Sequence, residues 1–192
     1  TSGVKDYYDF SELILEHQVI VVTINYRLGP MGWFTHPAIQ GLQNGIDKAS
    51  NFGTLDIMQA LKWVQTNIQN FGGDPENITI FGESAGGNNV LSLLASSKGN
   101  GLFHKAISQS GYTTSFTQEE AVGINQKGII VNRLGSDPAL SSYDSSGYES
   151  IKNLFNKDPQ KYGEEYQRYL RSIDGKALLD IYEKLSKNTY DR

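Results

Sequence analysis

The sequence has 192 residues, of which 38% are hydrophobic and 20% charged, so it suits one folded domain or part of a larger one. Its formal net charge of −4 offers no basic surface to nucleic acid, and the absence of cysteine excludes disulfides and thiolate chemistry in this stretch. No apolar run is long enough to cross a bilayer, and the first ten residues lack the apolar core of a signal peptide. The compartment is therefore left open.

The first half of the sequence alternates between strand patterns and helical patterns. Residues 19–25 (VIVVTIN) form a continuous run rich in β-branched side chains, which predicts a strand buried on both faces of a parallel sheet. Residues 35–53 are rich in Gly, Asn and Gln and predict a loop. Over residues 54–70, apolar side chains recur at steps of three and four, which predicts an amphipathic helix.

Two further strands and a second helix continue this pattern. Residues 78–81 (ITIF) and 105–109 (KAISQ) predict short strands, and residues 85–96 between them predict a helix. Strand, helix, strand, helix, strand is the order of a parallel α/β sheet whose crossover helices make right-handed connections.

The last third of the sequence predicts helices and no further strand. Thr117 and Glu120 have the spacing of a capping box, which predicts a helix that reaches about residue 134. The Ser-, Asp- and Gly-rich residues 135–147 predict a linker. Three more helices are expected near residues 148–156, 160–171 and 175–187.

Together these patterns predict one domain in two parts. Residues 1–135 are expected to form a partial α/β core, and residues 136–192 a helical insertion into it or continuation of it. The expected fold class is α/β, with a mostly parallel sheet, flanking helices and a helical C-terminal third.

A glycine-rich turn joins the second predicted strand to the helix after it. Its sequence, Gly82-Glu83-Ser84-Ala85-Gly86, matches the G-x-S-x-G pattern of a nucleophile elbow. In such a turn the serine takes a strained backbone conformation above the carboxyl end of the sheet, and the outer glycines avoid a collision across the turn. Ser84 is the candidate nucleophile, and the Ala85 N–H is the candidate donor to an oxyanion. The alternative is an ordinary glycine-rich turn.

This motif stands in a series of segments that resembles the type-B carboxylesterase and cholinesterase family of α/β-hydrolases. The segments follow the family's order over about residues 19–111, and the likeness is looser in the helical remainder. They are NYRLGP (25–30), NFG (51–53), LD (55–56), FGGDP (71–75), GESAGG (82–87), GLFHKAI (101–107) and QSG (109–111).

The resemblance implies a serine hydrolase of small carboxylic esters that needs no metal or organic cofactor. It implies that Ser84 attacks the ester carbonyl, that the Ala85 N–H helps to hold the oxyanion, and that Glu83 tunes the site or contacts a cationic substrate. For Glu83, a structural carboxylate in a buried hydrogen-bond network is an equal alternative. The family's oxyanion glycines would precede residue 1, and its acid and histidine would follow residue 192. The remainder of the parent chain is then needed for activity.

Several other polar residues are interpreted as structural. His17 and His36 precede the motif, which is the wrong order for a triad in this fold, and His104 stands just before a predicted strand. Arg27 and Asp56 are expected to form a structural ion pair.

Two hypotheses compete with that of an active esterase. One is a non-catalytic, cholinesterase-like interaction domain, against which an intact G-x-S-x-G motif argues. The other is a structural piece without activity of its own, because a serine without its base is a poor nucleophile.

Overall fold

The structure is a computed structural model that describes residues 8–113, 115–123 and 135–190, with side chains up to residue 187. Within these ranges the chain is mostly helical and contains one small parallel sheet, as in part of an α/β fold. None of the helices described is both long enough and apolar enough to span a membrane. In chain order the elements are α1 (Ser11–His17), α2 (Gly29–Trp33), α3 (Pro37–Gln40), α4 (Phe52–Asn67), β1 (Thr79–Glu83), α5 (Ala85–Ala95), β2 (Lys105–Gln109), α6 (Gln118–Val122), α7 (Ser136–Tyr143), α8 (Ser145–Lys157), α9 (Pro159–Ser172) and α10 (Gly175–Tyr190).

The chain separates into two compact units. The first unit contains Thr1–Arg27 and Gly53–Ser115, and the second contains Leu28–Phe52 and Phe116–Arg192. This division differs from the predicted boundary near residue 135. The reason is that α2 contacts α10 and α3 contacts α9, so the short helices after residue 28 pack with the C-terminal helices.

The first unit is built around the parallel pair β1 and β2. Thr79 lies opposite Lys105 and Glu83 lies opposite Gln109, and α5 packs against both strands. These elements confirm the two strands predicted at 78–81 and 105–109 and the helix between them. The predicted helix over 54–70 is α4 followed by one 3₁₀ turn, which ends at Gly72 in the left-handed conformation with φ +83°.

Apolar side chains from both helices and from β1 form the core of this unit. Burying an aliphatic side chain of this size contributes about 1.5–3 kcal/mol. The spacing of three and four residues puts the apolar side chains of α4 on one face of the helix, as the sequence predicted. The core residues are Ile57, Met58, Leu61, Val64, Ile68, Ile78, Ile80, Val90, Leu93 and Leu102.

The strand predicted over residues 19–25 is wrong, because this segment belongs to no strand in the structure. A strand needs a main-chain partner at hydrogen-bonding distance, and no described segment pairs with it. The apolar side chains are also not fully buried: Val19, Ile20 and Val22 are 41%, 46% and 41% exposed.

Arg27 and Asp56 form the expected ion pair within the first unit. The guanidinium donates two hydrogen bonds, Nε to Oδ2 at 2.8 Å and Nη2 to Oδ1 at 2.8 Å. The Arg27 backbone N–H also donates to Asp56 Oδ2 at 3.0 Å. The side-chain hydrogen bond from the guanidinium holds the pKa of Asp56 below its usual range. The pair fastens the end of the 19–27 segment to α4.

The second unit is helical, and it contains two helices in segments predicted as loops. Helix α3 lies within 35–53, where Pro37 occupies its first turn and the His36 side chain caps it. Helix α7 lies within 135–147 and buries Ala139 and Leu140. Both loop predictions are wrong here because burial of apolar side chains overrides the weak helix propensity of Ser- and Gly-rich sequence.

The other helical predictions for this unit are confirmed where the structure describes them. Thr117 and Glu120 form the capping box, and α6 follows. The part of that predicted helix over residues 124–134 lies outside the described residues. Asp144 and Asp158 are the N-cap residues of α8 and α9, and their carboxylates accept backbone N–H bonds from the first turn of each helix.

A buried polar cluster holds the helices of this unit together. His36 Nδ1 accepts the Ala38 N–H at 3.2 Å, so in the neutral ring the proton sits on Nε2. That Nε2 lies 2.9 Å from the Tyr166 hydroxyl and 3.2 Å from Asp137 Oδ1. Lys152 Nζ lies 3.2 Å from the other oxygen of Asp137. His36 is thus a structural residue with both ring nitrogens engaged.

The carboxylate of Asp137 makes the second unit sensitive to acid. Burial alone would raise its pKa, but the adjacent His36 ring and Tyr148 hydroxyl and the charge of Lys152 outweigh burial and leave the pKa below its usual value. A folded-state pKa below the unfolded one stabilises the fold above the unfolded value, about pH 3.9. This stabilisation is lost as pH falls through the lower folded-state pKa.

We therefore expect Asp137→Asn to lower the free energy of unfolding at pH 7 by about 1.5–3 kcal/mol, as for the loss of charged hydrogen bonds. The difference from the unsubstituted chain should shrink as pH falls below about 3.9 toward the lower folded-state pKa of Asp137, because the carboxyl is then increasingly protonated in both states. Urea unfolding from pH 7 to pH 3 measures both effects. Asp158→Asn is the matched control, since asparagine also caps a helix and this carboxylate is exposed. A pH-independent difference at Asp137 would contradict the assignment.

Candidate active site

The predicted elbow lies where the two parallel strands end side by side. Glu83 and Gln109 are the last register pair, and the chain continues from them into Ser84 and Ser110. The Ser84 N–H donates to the Gln109 carbonyl at 2.9 Å, which extends the ladder by one bond. Ser84 is therefore positioned by the sheet itself.

The backbone of Ser84 has the strained geometry that the motif predicts. Its φ is +53° and its ψ is −115°, a region that side-chain-bearing residues rarely adopt. Ser84 is the N-cap residue of α5, and its carbonyl accepts the Asn88 N–H at 2.9 Å. Its hydroxyl makes no capping hydrogen bond and the residue is exposed. The hydroxyl is thus free to meet a substrate.

The two glycines of the motif differ in whether the turn has room for a side chain. A Cβ on Gly82 would lie 2.5 Å from the carbonyl carbon of Gly86 and 2.6 Å from its oxygen, distances that real Cβ atoms essentially never show. A Cβ on Gly86 would meet nothing within 4 Å. The collision expected across the turn is confirmed for Gly82 and is wrong for Gly86, because the turn folds the backbone of Gly86 over Gly82 and leaves the far side of Gly86 open.

A second close approach joins α5 to the chain that leaves β2, and sequence patterns did not reveal it. A Cβ on Gly87 would lie 2.8 Å from the Gln109 carbonyl oxygen, and a Cβ on Gly111 would lie 2.8 Å from the Gly87 oxygen. The Asn88 side chain also accepts the Tyr112 N–H at 2.7 Å. In the sequence, the only indication of this contact was a glycine at each contact point: Gly87 at the end of GESAGG and Gly111 at the end of QSG.

Ser110, which follows the neighbouring strand, shares the positive φ of Ser84. Its φ is +52°, and the residue is exposed. Two adjacent strand ends therefore both turn through a serine in the left-handed region, which costs of order 1–3 kcal/mol for each residue.

The start of α5 offers a hydrogen-bond donor beside Ser84. The Ala85 N–H belongs to the first turn, whose amides have no partner within the helix. No acceptor for it lies in the described part of the chain, and Ala85 is exposed. The positive end of the helix dipole acts at the same place. The geometry suits an anion forming at Ser84.

Glu83 stands at the last position of β1 with an exposed side chain. Within the described residues no hydrogen bond or ion pair engages its carboxylate. The buried hydrogen-bond network considered as an alternative for Glu83 is absent from these residues.

His17 and His104 belong to the same unit as Ser84 but make their contacts elsewhere. His104 Nδ1 accepts the Ile78 N–H at 3.1 Å at the beginning of the sheet. Ser84 follows the opposite end of β1, six residues after Ile78, which is about 20 Å at the usual rise of a strand. His17 is exposed at the end of α1, with Nε2 3.8 Å from Glu16. Neither makes a hydrogen bond to Ser84 in the structure.

Comparison with solved structures defines the class of protein. The thermophilic PNB esterase superposes on the whole chain with a TM-score of 0.69 and 31% sequence identity, and the chain covers 33% of that structure. The chain is therefore part of an α/β-hydrolase fold.

Sequence relatives identify the family within that class. The carboxylesterase family matches residues 1–186. The para-nitrobenzyl esterase of Bacillus subtilis (strain 168) is 36% identical over 184 residues, which cover 87% of this chain and 37% of the relative. Mouse neuroligin-2 (Mus musculus) is 41% identical over 161 residues, covering 82% of this chain and 18% of the relative. The chain belongs to the carboxylesterase family and spans about a third or less of the length of these relatives.

Proposed function

We propose that the polypeptide containing this chain hydrolyses carboxylic esters and that Ser84 is its nucleophile. The observation that carries the proposal is the backbone of Ser84, a non-glycine residue at positive φ between a parallel strand and a helix. Strained backbone of this kind clusters at active sites, where the surrounding structure holds it in place. Family membership supports ester hydrolysis as the reaction, and the name of the Bacillus subtilis relative suggests p-nitrobenzyl esters as first substrates.

The proposed reaction follows from the groups around Ser84. Its Oγ attacks the ester carbonyl carbon, and the carbonyl oxygen becomes an anion that the Ala85 N–H and further donors stabilise. A histidine held by a carboxylate takes the hydroxyl proton and then delivers it to the leaving alkoxide. Water hydrolyses the acyl-enzyme by the same steps in reverse. We assign this histidine and carboxylate to the polypeptide outside residues 1–192, since His17 and His104 make no hydrogen bond to Ser84 and both ring nitrogens of His36 are engaged elsewhere.

Glu83 has a supporting role in the proposal. Its exposed carboxylate adjoins the nucleophile, so it adds negative charge next to the site. Such a charge favours a histidinium formed during the reaction, and it would also attract a cationic ester.

Active-site labelling tests the proposal directly. The polypeptide of natural length should react with a fluorophosphonate probe at Ser84, and the 192-residue chain should react at least about 10³-fold more slowly, because a serine without its base is a weak nucleophile. Mass spectrometry of the labelled peptide and the labelling rate measure both statements.

Two outcomes would count against the proposal. Labelling of another serine in the natural-length polypeptide would overturn the assignment of Ser84. Absence of any labelling there, together with no hydrolysis of p-nitrobenzyl esters, would favour the non-catalytic interaction domain.

A further inference from the structure

A side-chain hydrogen bond ties the chain that leaves β2 to the beginning of α5. Asn88 Oδ1 accepts the Tyr112 N–H at 2.7 Å, at the short end of the normal range for such a bond. Asn88 is half-buried and is the fourth residue of α5, one helical turn after Ser84. The bond therefore joins two segments of the first unit that are 24 residues apart in the sequence.

This contact closes a hydrogen-bonded ring around the candidate nucleophile. The Ser84 N–H donates to the Gln109 carbonyl at 2.9 Å, and the Ser84 carbonyl accepts the Asn88 N–H at 2.9 Å. Because Gln109 and Tyr112 are three residues apart in one segment, the bond from Tyr112 to the Asn88 side chain completes the ring. Ser84 and Ser110 both lie within it.

The ring encloses the two strained serine backbones of this unit. Ser84 has a φ of +53° and Ser110 a φ of +52°. Residues with side chains hold such a conformation only where the surrounding structure over-determines it. The ladder bond of Gln109 fixes the chain just before Ser110, and the bond of Tyr112 to Asn88 fixes it two residues after. The Asn88 side chain thus contributes to the position of the Ser110 turn.

The Ser110 turn lies beside the position where an ester would react. Ser84 and Ser110 follow Glu83 and Gln109, which are opposite each other on neighbouring strands. Neighbouring strands are about 4.8 Å apart, so the two serines are separated by about one strand spacing. Both residues are exposed. An ester carbonyl at Ser84 therefore meets the Ser110 turn, and the placement of that turn matters for the reaction.

The sequence of α5 supports a tertiary role for Asn88. The helix begins AGGNN, in which glycine and asparagine are weak helix formers. Asparagine is weak because its side chain competes for main-chain hydrogen bonds outside the helix. At position 88 the side chain makes such a bond, and the bond holds a second segment in place.

We propose that Asn88 is a positioning residue for the reaction at Ser84. It holds residues 110–112 against the nucleophile turn, so that the Ser110 turn presents a fixed surface to the ester. Asn88 acts through the main chain of Tyr112 and takes no part in proton transfer or bond formation. This inference rests on the proposed function of Ser84.

Asn88→Ala in the natural-length polypeptide tests the proposal. We expect kcat for p-nitrobenzyl esters to fall about tenfold and KM to change by less than about threefold, because a displaced turn spoils the reactive geometry more than it spoils binding. The rate constant for fluorophosphonate labelling of Ser84 should fall by a similar factor. Exchange of the Tyr112 amide hydrogen should become at least about tenfold faster, as measured by mass spectrometry with fragmentation of the peptide that contains it.

Two matched variants separate the hydrogen bond from other effects. Asn88→Asp keeps an acceptor at the same place, so it should retain slow exchange at Tyr112 and a kcat within about threefold of the original. Ser92→Ala removes a hydroxyl that donates to the Asn88 carbonyl at 2.8 Å, and it leaves the Asn88 side chain untouched. It should change neither exchange nor kcat. The final extent of labelling should be complete in all variants, because positioning alters the rate and not the number of folded molecules.

Three results would overturn the role of Asn88. They are unchanged kcat in Asn88→Ala despite faster exchange at Tyr112, slow exchange at Tyr112 in Asn88→Ala, and an equal loss of kcat in Asn88→Asp. Incomplete labelling of Asn88→Ala with an unchanged rate constant would show a role in stability alone, which also contradicts the proposal. Failure of the esterase proposal has a different signature, since the unsubstituted polypeptide would then not label at Ser84.

Discussion

Replacing Ser84 by alanine is expected to lower ester hydrolysis by the natural-length polypeptide by about 10⁴-fold or more. Removing the nucleophile ends acyl-enzyme formation and leaves only binding and oxyanion stabilisation, which together give a small residual rate. Because the Ser84 hydroxyl makes no capping hydrogen bond, the fold should be retained. Initial rates with p-nitrobenzyl esters and thermal unfolding of the same samples measure the two effects.

Ser92→Ala is the matched control for this experiment. Ser92 lies two turns further along α5 and is exposed, and its hydroxyl donates only to the Asn88 carbonyl at 2.8 Å. Its removal should leave turnover unchanged, because an i to i−4 bond of this kind adds little to a helix. Full turnover by Ser84→Ala would show that another residue is the nucleophile.

Gly82→Ala and Gly86→Ala are expected to have opposite outcomes, although both glycines belong to the same motif. A methyl group on Gly82 collides with the backbone of Gly86 at 2.5–2.9 Å, and backbone cannot move aside as a flexible side chain can. We expect a loss of about 2–3 kcal/mol in the free energy of unfolding, together with a displaced Ser84 and reduced labelling by fluorophosphonate in the natural-length polypeptide.

Gly86→Ala is the internal control. Its methyl group points into open space at the start of α5, where alanine has the higher helix propensity. Its stability should therefore stay within about 1 kcal/mol of the original or increase. Urea unfolding with comparison of the m-values checks both variants. Equal destabilisation by the two substitutions would contradict the asymmetry of the turn.

Patterns in the sequence predicted a secondary-structure element correctly wherever the interactions that form it lie within one short stretch of chain. The helical spacing of α4 and the capping box at Thr117 both depend on residues within a few positions of each other. Such signals survive in the structure because local hydrogen bonds and one buried face are enough to form a helix.

Prediction from sequence failed where the secondary structure of a segment depended on contacts with residues far away in the sequence. Residues 19–25 have the composition of a buried strand, yet they lack a described partner and so form none. Residues 136–143 have the composition of a linker, yet burial of Ala139 and Leu140 makes them helical.

The sequence by itself determined the G-x-S-x-G turn, its place between a strand and a helix, and the likeness to carboxylesterases. Only the tertiary structure decided which glycine the turn requires, that Gly87 meets Gly111 across two elements, and that one edge of β1 pairs with no strand in the described part of the chain. The reason is physical: a turn motif is set by neighbouring dihedral angles, whereas a collision or an unpaired edge depends on where remote backbone comes to lie.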